Sequence, residues 1–218
     1  MKRSLSGPDF ELLVLGKTSN FWRRSYSYSK KLARYIAMQN AGKIEHTPIS
    51  RSLTQMVERY LTAHHRQQGE LIWCVSVGML LDTHYGADAF FTWKTSRGEK
   101  SVYIDVFSLN IEGTIEVLEQ MDPERFSALD RDPVYRMATA KSMLTSRYRE
   151  FQDALFLRKE QWKEDMRRRE NKKAFRPVAT VRPLDHFVLT PFDLLRSRGL
   201  RAFAREIALC LAQSPLDT

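Results

Sequence analysis

The sequence predicts an α/β (α+β) protein in which a β-hairpin is flanked by helices. Two apolar runs, 86–91 and 102–107, are separated by a turn signal at 96–99, which is typical of a hairpin. Apolar residues recur at helical spacing between 50 and 65, and 134–173 contains neither Pro nor Gly. A chain of 218 residues with 43% hydrophobic residues is long enough to bury one substantial core.

The hairpin is preceded by three predicted elements. Residues 10–15 form an apolar run that is predicted to be a short strand ended by Gly16. Residues 50–65 are predicted to be a helix with one apolar face. The apolar run 71–81 is compatible with a buried strand or a buried helix, because periodicity does not separate the two.

The chain after the hairpin is predicted to be mainly helical. A helix is expected at 114–120, and 134–173 is expected to form one long helix or two with a bend. Three prolines within 175–191 indicate a linker or an extended arm. Residues 191–213 carry the apolar spacing of a final amphipathic helix.

These elements divide the chain into four segments. They are an N-terminal basic and aromatic segment packed on the core (1–47), an α/β core (48–133), a long basic helix (134–174), and a linker with a C-terminal amphipathic helix (175–218). We expect the last segment to form a C-terminal helical extension.

Composition predicts a cytoplasmic protein without a membrane span. The longest apolar run, 71–81, is about half of the roughly 20 residues that a spanning helix needs. The first nine residues contain bases but no apolar segment of the kind a signal peptide has. Cys74 and Cys210 lie in apolar runs, where free thiols behave as small hydrophobic groups, so a reduced compartment is expected.

The distribution of charge favours a polyanionic partner. The net charge is +9, and residues 17–35 hold six bases and no acid. Residues 158–176 hold nine bases against four acids, whereas 36–157 hold 13 bases and 16 acids. Basic flanks around a mildly acidic centre are typical of a protein that grips nucleic acid at its edges. The alternative is a soluble protein with basic surface helices.

Two groups of residues are candidates for binding nucleic acid. Interleaved aromatic and basic side chains stack on bases while neutralising phosphates, and the N-terminal candidates are Trp22, Arg23, Arg24, Tyr26, Tyr28, Lys30, Lys31 and Arg34. The second group, on the long helix, would contact phosphates through Arg167, Arg168, Arg169, Lys172 and Lys173. The N-terminal aromatics could equally belong to an amphipathic helix that packs on the core, and the two interpretations are compatible.

The candidate chemical site consists of carboxylates in apolar surroundings. The hairpin brings Asp88 and Asp105 to neighbouring strands. A buried carboxylate is costly unless it is paired or holds a metal, so the two together predict a divalent-cation site. Asp88 is alternatively a turn residue that hydrogen-bonds its own backbone. Glu58 lies at the edge of the apolar face of helix 50–65 and is alternatively a surface residue.

The pattern resembles the core of the PD-(D/E)XK nuclease superfamily. The matching features are Glu58 on a helix, then Gly86-x-Asp88, then Ile104-Asp105-Val106, over roughly residues 50–114. The resemblance implies a restriction-endonuclease-like αβββαβ core with a mixed β-sheet flanked by helices. It also implies that Asp88 and Asp105 bind Mg²⁺ or Mn²⁺, and that a lysine helps to activate water.

The sequence departs from this family at the lysine. Phe107 stands two residues after Asp105, where the family has its lysine. Lys94, Lys100 and Lys141 could supply the charge from another element, and Lys141, on the helix after the sheet, is preferred.

Two functions are therefore expected from the sequence. The first is a metal-dependent endonuclease, or a nuclease-like subunit, that acts on DNA phosphodiesters; Asp88, Asp105, Lys141 and Glu58 would be its catalytic residues. The alternative is a non-catalytic DNA- or RNA-binding or assembly protein with a degenerate nuclease-like fold. In that case the C-terminal helices would dock a second copy or a protein partner. A basic scaffold for an acidic protein is a third interpretation, and fold analogy alone suggests a phage or mobile element.

Overall fold

The computed structural model describes residues 7–16, 46–65, 68–76, 87–127, 132–169, 182–194 and 197–213. Within these ranges the chain forms eight helices and one four-stranded sheet. The helices are α1 (Gly7–Leu15), α2 (Pro48–His65), α3 (Ile111–Met121), α4 (Pro123–Ser127), α5 (Pro133–Ser146), α6 (Tyr148–Arg169), α7 (Pro191–Leu194) and α8 (Ser197–Ala212). The strands are β1 (Glu70–Val75), β2 (Ala89–Thr95), β3 (Gly98–Val106) and β4 (His186–Leu189).

The sheet is mixed, and its spatial order is β1-β2-β3-β4. The predicted hairpin is confirmed: β2 and β3 pair antiparallel, and Thr95 lies opposite Gly98 at the turn. Strand β1 is antiparallel to β2, whereas β4 runs parallel to β3 with Asp105 opposite Val188. A parallel pair requires a crossover connection, and here helices α3 to α6 lie between the two strands in the chain.

The two faces of the sheet differ in chemistry. Because side chains alternate along a strand, one face carries only apolar residues along the middle of β2 and β3, including Phe91, Val102 and Ile104. Phe187 of β4 shares this face, and its ring contacts Phe203 of α8 at 6.1 Å between centroids. The apolar face is therefore covered by α8.

The opposite face carries the buried polar side chains. It includes Thr92 and Ser101, whose hydroxyls are 2.7 Å apart, together with Asp105 and His186. Helix α6 covers the β3–β4 part of this face, since the ring of Phe156 contacts His186 at 5.8 Å between centroids. Helices thus flank both faces of the sheet, as the sequence predicted.

Helix α2 confirms the predicted helix at 50–65 and begins two residues earlier. Thr47 caps it: its backbone oxygen accepts from the N–H of Arg51 at 2.9 Å, and its hydroxyl accepts from the N–H of Ser50 at 3.0 Å. Pro48 in the first turn loses no intrahelical bond, because that N–H would have no partner inside the helix. The cap fixes where the helix begins.

The predicted strand at 10–15 is wrong, because these residues belong to helix α1. Phe10 and Val14 are fully buried at a spacing of four, while Leu12 and Leu13 are about half exposed. The burial therefore follows the helical period and not the alternation of a strand. Gly16 ends the helix in a left-handed conformation with φ of 81°, and its N–H donates to Leu12 at 3.0 Å.

Three further predictions are resolved by the described residues. The run 71–81 begins with strand β1, and the remainder beyond residue 76 lies outside the described ranges. The segment 134–173 contains two helices, α5 and α6, separated at Arg147. The predicted linker or arm at 175–191 instead contains β4, which is buried at all four positions.

The outer edge of β4 is satisfied by a side chain from α6. Gln152 donates through Nε2 to the Val188 carbonyl at 2.9 Å and accepts from the Val188 N–H at 2.8 Å. Nε2 of Gln152 also lies 3.0 Å from the Tyr148 hydroxyl, one turn earlier on the same helix. Since buried backbone groups need partners, this amide replaces the neighbouring strand that an inner strand would have.

Replacing Gln152 with Leu should destabilise the protein by about 2–4 kcal/mol, because it leaves the buried N–H and C=O of Val188 without partners. Urea denaturation would measure this loss. Gln161→Leu is the matched control, since Gln161 lies on the exposed surface of the same helix. Equal effects of the two substitutions would contradict the role assigned to Gln152.

Candidate functional site

The two predicted aspartates are adjacent in the fold. Asp88 lies immediately before β2 and Asp105 lies near the end of β3, where these strands pair. Asp88 Oδ2 accepts the Val106 N–H at 2.7 Å, and the Asp88 carbonyl accepts the Ser76 N–H at 2.7 Å. Both carboxylates are buried. Asp88 therefore bonds across to β3 and is not a surface turn residue.

A lysine from α6 completes the group. Lys159 is 4% exposed, and its ammonium forms an ion pair with Asp105 Oδ2. It lies on the inward stripe of α6 that also includes the fully buried Leu155 and Gln152. The helix thus delivers a positive charge to the polar face of the sheet.

Burial governs the protonation of Lys159. Removal from water lowers the pKa of Lys159 well below its ordinary value, and the neighbouring Lys163 acts in the same direction. The carboxylates of Asp88 and Glu160 oppose this shift. Lys159 consequently gives up its proton more readily than an exposed lysine, although the carboxylates of Asp88 and Glu160 favour its charged form.

His186 lies on the same face as Asp105, two positions away in the β3–β4 register. Its Nε2 is 4.0 Å from Asp105 Oδ2 and has no hydrogen-bond partner among the described residues. Burial, and then Lys159 and Lys163, lower the pKa of His186 to about 3, so the ring is neutral at physiological pH. Arg182 also lowers this pKa, whereas Asp185 raises it.

Another buried carboxylate, that of Asp193, is held by hydrogen bonds that join parts of the fold. Asp193 accepts from the Tyr148 hydroxyl at 3.0 Å and from the backbone N–H and hydroxyl of Thr190, both at 2.9 Å. Burial raises its pKa to about 6, although these hydrogen bonds act in the opposite direction. This network joins α6 to the segment after β4 and leaves Asp193 with partners on both oxygens.

The donor set at Asp88 and Asp105 fits a hard divalent cation. Mg²⁺ is commonly held by one or two carboxylates, and water and substrate phosphate complete its shell. Among the described residues no group of three or more His, Cys, Asp and Glu side chains could hold a metal ion. A cation here would therefore depend on two protein carboxylates, and at Asp105 it would compete with the ammonium of Lys159.

The other predicted catalytic residues lie elsewhere or are not joined to this group. Glu58 is on the exposed side of α2, next to the buried Val57. Lys94 and Lys100 lie toward the hairpin turn, and Lys100, five residues from Asp105, is about 17 Å away along β3. Lys141 is partly exposed on α5. Phe107 directly follows β3.

The predicted nucleic-acid contacts are only partly within the described ranges. The N-terminal candidates, Trp22, Arg23, Arg24, Tyr26, Tyr28, Lys30, Lys31 and Arg34, lie outside them, as do Lys172 and Lys173. Arg167, Arg168 and Arg169 form the last turn of α6. Arg168 is exposed and lies 3.2 Å from Glu164, which is buried.

Sequence reasoning missed Lys159 and His186. A signal for Lys159 existed: it continues the helical spacing of Gln152, Leu155 and Phe156, so a lysine stands on an inward-facing stripe. His186 had no comparable signal, because the three prolines around it favoured an extended arm over a strand.

Comparisons with known proteins give no assignment. No family model matches the chain, and neither the curated proteins nor the solved structures contain a significant match. In the part of the chain that the structure describes, every helix is too short or too polar to cross a membrane.

Removing one member of the buried ion pair should be strongly destabilising. Lys159→Met should lower the free energy of unfolding by about 3–5 kcal/mol, because it leaves the Asp105 carboxylate buried without its cation. The double variant Lys159→Met with Asp105→Asn should recover much of that loss, since no uncompensated charge remains. Denaturant unfolding of both variants measures the coupling. Additive losses in the double variant would show that the two side chains do not form the pair described.

The neutral state of His186 predicts a pH-dependent stability. Below pH 6.5 the unfolded chain binds a proton at this residue that the folded chain does not bind until about pH 3. The contribution of His186 to the free energy of unfolding should therefore fall by up to about 1.4 kcal/mol per pH unit as the pH decreases from 6.5. Asp193 has the opposite effect between pH 3.8, its ordinary pKa, and about pH 6, because there the folded chain binds a proton that the unfolded chain does not. In that range its contribution to the free energy of unfolding rises as the pH decreases.

The measurement must therefore compare variants. The stability advantage of the wild type over His186→Gln should shrink between pH 6.5 and pH 4.5, as measured by urea denaturation at each pH. His46→Gln serves as the comparison: burial, and then Arg51, also lower the pKa of His46, but this residue is only partly buried, so its substitution should change the pH dependence less. A wild-type advantage that is constant with pH would contradict a buried neutral His186.

Proposed function

We propose that the protein is a metal-dependent nuclease that hydrolyses DNA phosphodiesters at Asp88 and Asp105, with Lys159 in the role of the family's lysine. The observation that carries this proposal is the grouping of these three buried side chains at the end of β3. Perturbed titratable groups of this kind cluster at functional sites. The basic flanks around this centre favour a polyanionic substrate.

The order of the elements also supports the proposal. The described core runs α2, β1, β2, β3, then the α3–α6 helices, then β4, and β2 is antiparallel to both of its neighbours. This is the αβββαβ order implied by the resemblance to PD-(D/E)XK nucleases, with additional helices before the last strand. A restriction-endonuclease-like fold is thus the architecture that we propose for the sheet and its two flanking layers.

The roles of the side chains follow from their positions. Asp88 and Asp105 would hold the cation, which when bound supplies Lewis-acid polarisation of the phosphate and a more acidic water. Asp88 is fixed for this role by the Val106 N–H. Lys159 would accept the proton of the attacking water in its neutral form, which burial favours by lowering its pKa, and the bound cation would take the place of the ammonium beside Asp105. The water oxygen then forms the new bond to phosphorus as the bond to the leaving sugar oxygen breaks.

A second candidate function is favoured by one specific observation. Lys159 already neutralises Asp105, and both groups are buried, so the pair could replace a cation as a structural element. The protein would then bind nucleic acid through its basic flanks without cleaving it. This alternative predicts no dependence on Mg²⁺.

A cleavage assay with single-residue variants separates the two functions. Supercoiled plasmid and single-stranded DNA would be incubated with Mg²⁺ or Mn²⁺ and wild-type protein, Asp105→Asn or Lys159→Arg. Under the proposal, nicking requires the metal and falls at least about 100-fold in Asp105→Asn, because a ligand to the cation is lost. Lys159→Arg stays protonated and cannot accept the proton of the attacking water, so it should also lose activity.

Lys141→Met and Glu58→Gln test the positions that the sequence favoured. If Lys159 is the catalytic lysine, both variants should retain activity within about threefold of the wild type. If Lys141→Met loses activity and Lys159→Arg keeps it, the catalytic lysine is Lys141 and not Lys159. DNA binding by wild type and Asp105→Asn with no cleavage by either would establish the second function instead.

A further inference from the structure

The inward stripe of α6 continues past the proposed catalytic lysine to an exposed tryptophan. Residues three, four and seven positions after Lys159 share its side of the helix, and these are Trp162, Lys163 and Met166. The side chains that follow Lys159 on this side of the helix are more exposed than Lys159, which is 4% exposed: Trp162 is 52% exposed, Lys163 29% and Met166 36%. This side of the helix is therefore partly open to solvent after the buried ion pair, although Glu164 is still buried.

Trp162 is fixed beside the aspartates by Phe107. The two rings lie 5.9 Å apart between centroids at an interplanar angle of 60°. Phe107 is two residues after Asp105, and its N–H donates to the Leu189 carbonyl at 2.8 Å, which holds it against the end of β4. Trp162 is thus positioned by a residue of the same strand end that carries the candidate ligand.

The charges around Trp162 match a nucleotide better than an apolar protein surface. Lys163 lies close enough to the buried group to lower the pKa of both Lys159 and His186. Arg158 is 45% exposed one turn earlier and lies 4.0 Å from Glu116, and Lys163 lies 3.5 Å from Glu160. The helix ends in Arg167, Arg168 and Arg169, of which Arg168 pairs with Glu164 and the other two have no acidic partner among the described ion pairs. An exposed aromatic ring among cations is the arrangement that binds single-stranded nucleic acid, because bases stack on the ring while phosphates pair with the cations.

We propose that Trp162 is the stacking platform for an unpaired nucleobase next to the scissile phosphate, so that the substrate is single-stranded DNA or an unpaired end. This inference rests on the proposed nuclease function. Lys159 and Trp162 are separated by about 4.5 Å along the helix axis, which is on the scale of one nucleotide. In a duplex both faces of each base are covered by neighbouring bases, so only an unpaired base can use this ring.

The test measures binding of DNA and its cleavage separately. A short fluorescein-labelled single strand and the duplex of the same sequence would be titrated by fluorescence anisotropy, in Mg²⁺ at one fixed salt concentration. The protein would carry Lys159→Met with Asp105→Asn, which cannot cleave and leaves no uncompensated buried charge. Adding Trp162→Ala should weaken single-strand binding about tenfold and leave duplex binding within about twofold. Trp162→Phe should retain most of the affinity, because a ring remains. Tyr135→Ala is the matched control, since Tyr135 is 62% exposed on α5.

The outcomes distinguish this inference from the function on which it rests. If Trp162→Ala weakens the binding of single strand and duplex equally, or weakens neither, Trp162 is not a stacking platform. That conclusion holds even if the wild-type protein cleaves DNA and Asp105→Asn does not. If the selective loss is found but wild type never cleaves, the platform stands and the nuclease does not. If neither single strand nor duplex is bound by any variant, both proposals fail.

Discussion

The ion pair between Asp105 and Lys159 is the interaction on which the arrangement of this protein depends. Each charge would be costly to bury alone, and the pair offsets that cost only while both partners keep their positions. Those positions come from different parts of the chain: Asp105 from β3 and Lys159 from a helix more than 50 residues later. The pair therefore requires the sheet and α6 to be assembled together, and it penalises any packing of α6 that moves the ammonium away from β3.

Helix α6 achieves this placement with a single stripe of side chains. Tyr148 contacts Asp193, and Gln152 bonds to both backbone groups of Val188. Lys159, seven residues after Gln152, pairs with Asp105. Seven residues are nearly two helical turns, so these side chains lie on one side of the helix. Because Gln152 contacts β4 and Lys159 contacts β3, the stripe crosses from the outer strand to the inner one. Polar contacts thus set the register of α6 on the sheet, and apolar contacts from Leu155 supply the burial around them.

The parts of the fold that could be predicted from sequence are those with local signals. The hairpin had two apolar runs and a turn, and α2 had one apolar face at helical spacing, so both were found. Helix α1 was misassigned because six residues are too few to separate the two periods, and only the burial of Phe10 and Val14 decides between them. Strand β4 is short and surrounded by prolines, and it is stabilised by long-range partners: β3 on one side and Gln152 on the other. Local sequence patterns do not indicate such long-range partners, so β4 was not predicted.

The candidate site shows the same division between local and long-range information. Asp88 and Asp105 were identifiable because carboxylates stood in apolar runs, but the lysine that meets them lies on an element whose docking the sequence does not specify. Phe107 stands where the resemblance to PD-(D/E)XK nucleases implies a lysine, and its side chain has a structural role. A lysine at that point would place a flexible cation at the end of β3, whereas Phe107 provides a ring against which Trp162 rests. Under the proposed function, moving the cation to α6 leaves the strand end apolar. Lys159, the proposed catalytic lysine, and Trp162, the proposed stacking platform, can then both come from neighbouring positions of α6.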